Sequence, residues 1–179
     1  KIADQTHSLI ETHKPDLIVH LGLDVESPAG VFRIEKSAPK EGYHDVPDVD
    51  RKVITRVENK QLFGKLPETL ATTLDVEAAR AMCQDACGWL GLPSSGAAKG
   101  KNACEVGARP RVDVRVTDNV GTYVCGFQYY MSLLGMEKAT GRRNVAFLHV
   151  PRLESEAEVK VGLRVVEELI EALVGGMKV

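Results

Sequence analysis

The sequence predicts an α/β domain: an open, mostly parallel or mixed sheet with helices on both faces, three layers in all. Three observations carry this. Residues 16–22 and 144–150 are apolar runs of strand length, the pattern of strands buried on both sides. Apolar residues recur at helical spacing over 76–90, 123–134 and 156–174. Residues 111–150 read as a strand, a helix and a strand, about the length of a right-handed crossover between parallel strands. The chain has 179 residues, enough for a single domain spanning 1–179.

The elements follow in order. Residues 2–13 fit the last turns of an amphipathic helix, stopped ahead of Pro15. A strand over 16–22 leads into a polar loop with Pro28 and Gly30, then a second strand over 31–38. In that strand Val31, Arg33 and Glu35 share one face. Residues 39–70 are rich in Pro, Gly and Asp and read as a long loop, with a short strand near 53–57. The next helix puts Val76, Ala79, Cys83, Ala86, Cys87 and Leu90 on one stripe. Residues 92–110 read as a surface insertion. After the strand–helix–strand unit, a last helix over 156–174 turns Val159, Leu163, Val166, Leu169, Ile170 and Leu173 inward, with Gly175 and Gly176 ending it.

Composition limits the function. Hydrophobic residues make up 44% and charged residues 27%, which excludes extensive disorder. A net charge of −2 excludes a strongly basic nucleic-acid surface. No apolar run approaches the ~18 residues of a membrane-spanning helix. Cysteines at 83, 87, 104 and 125 lack zinc-ribbon spacing. A cytoplasmic protein with reduced thiols is expected. Cys83 and Cys87, one turn apart, could share a metal; no His stands nearby in sequence, and core packing is the stronger reading. Cys104 is expected to be an incidental loop thiol.

Cys125 and His149 are the chemical candidates. Cys125 follows the first strand of the 111–150 unit, and His149 stands at the end of the second. Parallel strands would end at one edge of the sheet, where ligands of open α/β sheets bind. With Thr122 as N-cap, Cys125 is the third helical residue, where orphan N–H groups and the helix dipole favour a thiolate. With Asn119 as cap it lies deeper. A buried Cys and a strand-end His are also ordinary core features. Glu35, Glu26 and Asp24 could orient the imidazole. Glu35 is preferred, because it ends an otherwise apolar strand; Asp24 and Glu26 are expected to be solvated.

Residues 117–125, Thr-Asp-Asn-Val-Gly-Thr-Tyr-Val-Cys, resemble the active-site cysteine motif of the type I pyroglutamyl peptidases, also called pyrrolidone carboxyl peptidases. Residues 147–151, Phe-Leu-His-Val-Pro, are similar to the family's catalytic-histidine strand. Val19-His20-Leu21-Gly22 with Ile34-Glu35-Lys36, and Gly42-Tyr43, are similar to its glutamate region. The chain departs from the family at Val120, at Gly126 and in the loop 23–30. The family's first strand and its Gly-Phe-rich substrate loop have no counterpart in this chain. A gap in the sheet, or a partner filling it, is therefore expected.

The resemblance implies a cysteine exopeptidase acting on peptides with an N-terminal pyroglutamate. It assigns Cys125 as nucleophile, His149 as general base and acid, and Glu35 as the group that orients the imidazole. It implies no cofactor, metal, nucleic acid or membrane partner, and is compatible with a monomer or a homo-oligomer. Alternatives are an inactive family member that binds peptides, a thiol hydrolase of different acyl specificity, and a metal protein built on Cys83 and Cys87.

Overall fold

The computed structural model describes residues 2–43, 47, 51–53, 55–93 and 110–177. The elements are α1 (Ile2–His13), β1 (Ile18–Asp24), β2 (Val31–Glu35), β3 (Ser37–Pro39), α2 (Arg56–Phe63), β4 (Thr69–Ala71), α3 (Val76–Cys87), β5 (Asp113–Thr117), α4 (Val124–Thr140), β6 (Val145–Pro151) and α5 (Glu156–Gly176). Four strands form a sheet in the order β1-β6-β2-β5, with helices on both faces, a three-layer α/β/α arrangement. β3 and β4 form a separate antiparallel pair, Ala38 opposite Leu70. Among the described residues no helix is long and apolar enough to cross a membrane.

The sheet is mixed. Ile18, the first residue of β1, donates its N–H to the C=O of Asn144, just before β6 (3.1 Å), so these strands start side by side and run parallel. Asp113 N–H reaches Gly30 C=O and Lys36 N–H reaches Thr117 C=O, so β2 and β5 are parallel too. Between the two pairs the direction reverses. The hydroxyl of Tyr129 lies 2.9 Å from the C=O of Glu35, the last residue of β2, and 3.4 Å from that of Val145, the first of β6. This corrects the expected crossover: β5 and β6 are not parallel, β2 lies between them, and the common strand edge expected to carry Cys125 and His149 does not follow. The pairing of β2 is non-local, which the local pattern of 111–150 does not encode.

The chain divides into two compact units. The first comprises residues 1–20, 35–74 and 117–147. Its core surrounds α4, which buries Phe127, Tyr129, Tyr130, Leu133, Leu134 and Met136. These residues span most of the helix circumference, so α4 is a core helix rather than the one-sided amphipathic helix expected. Phe63 meets Phe127 and Tyr130 edge-on, and Tyr43 meets Phe127 likewise, pairs worth about 0.5–1.5 kcal/mol each beyond burial. α1 packs on α4. Where a strand near 53–57 was expected, helix α2 begins instead, with Thr55 and Glu58 forming a capping box.

The second unit comprises residues 21–34, 75–116 and 148–179. Here α3 packs on α5. Cys83 and Cys87 are fully buried, and their thiols donate to the carbonyls of Val165 (3.5 Å) and Arg164 (3.9 Å). Burial pushes the Cys83 thiol up to about 12. The Gln84 amide binds both Val112 C=O and Val114 N–H, covering backbone groups at the edge strand β5. α5 turns Leu169 and Leu173 inward as its apolar pattern suggests, but not Val159, Leu163 or Ile170. Gly162, Val165, Leu169, Ala172 and Leu173 are buried, whereas Val159 and Leu163 are 51% and 56% exposed. The small residues decide this: a Cβ on Gly162 would lie 2.5 Å from Leu153 Cδ1. Of the expected 92–110 insertion, residues 94–109, with Cys104, lie outside the described residues.

Candidate active site

Cys125 enters through the start of α4. The N-cap is Tyr123, neither Thr122 nor Asn119, and its side chain makes no capping bond. Cys125 is therefore the second helical residue. The first α4 bond runs from Phe127 N–H to Tyr123 C=O, so the N–H groups of 124–126 have no intrahelical acceptor. That end of the helix offers donors and positive dipole to an anion. The Cys125 thiol is partly exposed.

Two glycines shape this entry. Gly42 adopts φ +109°, and a Cβ there would meet Thr122 Cγ2 at 2.7 Å. Gly126 lies under the carbonyl of Gly121 and the ring of Tyr43, whose hydroxyl donates to Pro39 C=O at 2.6 Å. Gly126 thus has a packing reason of its own, which its departure from the family motif did not disclose.

Glu35 belongs to the same unit as Cys125. It is fully buried at the end of β2. Asn119 N–H, in the turn ahead of α4, donates to Glu35 Oε2 at 3.1 Å. Ser37 donates to the neighbouring Asp118 carboxylate. Tyr129 is pushed well above the ordinary phenol range, first by burial and then by the Glu35 charge. The chain thus brings Glu35 to the turn that carries the cysteine motif. The sequence pattern placed Glu35 at a strand end; it did not supply this bond.

His149 belongs to the second unit, on the almost fully buried strand β6, and is itself buried. In that unit it has a charged neighbour that sequence reasoning set aside. Asp24 is not solvated: its side chain is 11% exposed and pairs with Arg33. Ser27 Oγ donates to it at 2.5 Å and Glu26 N–H at 3.1 Å. Burial raises the Asp24 carboxyl, but the Ser27 and Glu26 bonds and the charges of Arg33 and His149 outweigh it and hold it below the usual range. A loop Asp followed three residues later by Ser is a turn signal that could have flagged this local bonding.

His20, part of the glutamate-region resemblance, faces the first unit's core. Its Nε2 lies 2.8 Å from Ser132 Oγ and its ring 5.8 Å from that of Phe147. Burial lowers its pKa.

No profile of a known family matches the chain. The chain is 27% identical over 170 residues to pyroglutamyl-peptidase 1 of rat and of mouse, covering 94% of this chain. It is 27% identical over 143 residues to a human pyroglutamyl-peptidase 1-like protein, covering 80% of this chain and 55% of that protein. The chain spans 65% of the length of the rodent relatives. Among solved structures, two variants of pyrrolidone carboxyl peptidase from Pyrococcus furiosus superpose with TM-scores of 0.71 and 0.70 at 18% identity, covering 98% of this chain and 77% of theirs. The chain is thus similar in sequence to pyroglutamyl-peptidase 1 and shares the fold of pyrrolidone carboxyl peptidase.

Proposed function

We propose that this chain carries the thiol chemistry of an exopeptidase that removes an N-terminal pyroglutamyl residue. The observation that carries the reading is Cys125 at the second position of α4, beside N–H groups without intrahelical acceptors. In the reaction the Cys125 thiolate attacks the amide carbonyl carbon that follows the lactam ring. The carbonyl π pair moves onto oxygen, and the N–H groups at the α4 start stabilise that oxyanion, a contribution of roughly 3 kcal/mol per donor in comparable sites. His149 accepts the thiol proton and gives it to the leaving amine. Glu35 orients the imidazole and stabilises its protonated form. Water then hydrolyses the thioester by the reverse proton path. The relatives' shared name and the motifs around residues 35, 125 and 149 support this assignment.

The test is release of a fluorogenic amine from a pyroglutamyl amide by the full chain under reducing conditions. Cys125→Ala is expected to lower kcat/KM on the order of 10⁴-fold or more, while Cys104→Ala leaves it unchanged. No turnover by the wild type, with peptide binding retained, would instead favour the non-catalytic reading. Turnover of other acyl amides only would favour a different specificity.

A further inference from the structure

We infer that Asp24 is a second carboxylate acting on His149, with Arg33 as its counterweight: a positioning pair that sets the charge state of the imidazole. The inference rests on the reading of His149 as the general base.

The sheet register carries it. Ile18 N–H bonds Asn144 C=O, which in a parallel pair sets Ile18 opposite Val145. Counting along both strands puts His20 opposite Phe147, and their rings do meet at 5.8 Å. The next position on that face puts Gly22 opposite His149. Gly22 has no side chain, so the next β1 side chain on the face of His149 is Asp24, a diagonal neighbour about 8 Å away between Cα atoms at ordinary strand spacings. The second observation is the Asp24–Arg33 ion pair. Asp24 is on β1 and Arg33 on β2, and β6 runs between them. The pair therefore closes over β6 at its His149 end. Asp24 is held in place by Ser27 and the Glu26 N–H, so it presents a fixed charge.

The charged groups of the second unit that this geometry sets around the imidazole are Asp24 from β1 and Arg33 from β2. Asp24 favours imidazolium and Arg33 opposes it. An opposite charge at this range, partly cancelled by its neighbour, moves a histidine by about half a unit to one unit.

The experiment is titration of the His149 ring by NMR in the full chain, assigned with His149→Gln. Asp24→Asn is expected to lower the His149 pKa by about half a unit to one unit, and Arg33→Gln to raise it. The acid limb of kcat/KM should move in the same two directions. The opposite signs separate a charge effect from general damage to the fold, which would move both variants alike. An unmoved His149 titration in Asp24→Asn, or shifts of the same sign in both variants, would overturn the inference. The ring titration needs no turnover, so an inert wild type whose His149 still shifts supports the Asp24 pair while refuting the peptidase reading.

Discussion

Replacing Gly126 by Ala sets two known effects against each other. In a helix, Ala is favoured over Gly by up to about 1 kcal/mol. At Gly126 the added Cβ would lie 2.4 Å from Gly121 O and 3.0 Å from the Tyr43 hydroxyl. Ordinary contact begins near 3.4 Å, so the Gly121 carbonyl must retreat by about 1 Å. Neither group retreats freely. Gly121 sits in the turn whose Asn119 N–H binds Glu35, and the Tyr43 hydroxyl is tied to Pro39 C=O. Overpacking of this kind costs about 1–3 kcal/mol. The cost exceeds the propensity gain, and the net expectation is a loss of about 1 kcal/mol. For a chain of this size that lowers Tm by about 2–4 °C. Urea and thermal unfolding of wild type and Gly126→Ala measure it directly. Equal or greater stability in the variant would refute the close approach at the α4 start.

Three more outcomes follow from the same packing. Tyr129→Phe removes a fully buried hydroxyl that serves Glu35 C=O and Val145 C=O, and is expected to cost about 1–2 kcal/mol in urea unfolding. Ser155→Ala removes one side of the α5 capping box, in which Ser155 Oγ accepts from Glu158 N–H, at a cost of about 1 kcal/mol; an unchanged unfolding midpoint would contradict the cap. His20 binds its proton less readily folded than unfolded, because burial lowers its pKa below 6.5. Its contribution is intact above pH 6.5 and is lost as pH falls below it, so wild-type stability should drop from pH 7.5 to 5.5 more steeply than that of His20→Gln.

Local features were legible in the sequence because local chemistry makes them. The capping box at Thr55 and Glu58 could have been read in the same way, but the Pro- and Asp-rich surroundings disguised it. The facing of α5 was legible only in part. Leu169 and Leu173 are buried as expected, whereas Val159, Leu163 and Ile170 are not, because the contacts with Leu153 and α3 fall on Gly162, Val165 and Leu169 instead. Asp24 looked like a solvated loop residue because its partner Arg33 comes from another strand. The strand directions were hidden for a similar reason: β5, α4 and β6 are consecutive, yet β2 pairs between the two strands.

By itself the sequence determined the α/β class, most element positions, and the motifs around Cys125, His149 and Glu35. Each depends on residues a few positions apart, within reach of one helical turn or one strand. Tertiary structure alone decided the strand order, the burial of Glu35 under Asn119, the need for Gly126, and the pairing of Asp24 with Arg33. Those depend on groups tens of residues apart in sequence, whose approach is set by packing and backbone hydrogen bonding across the sheet.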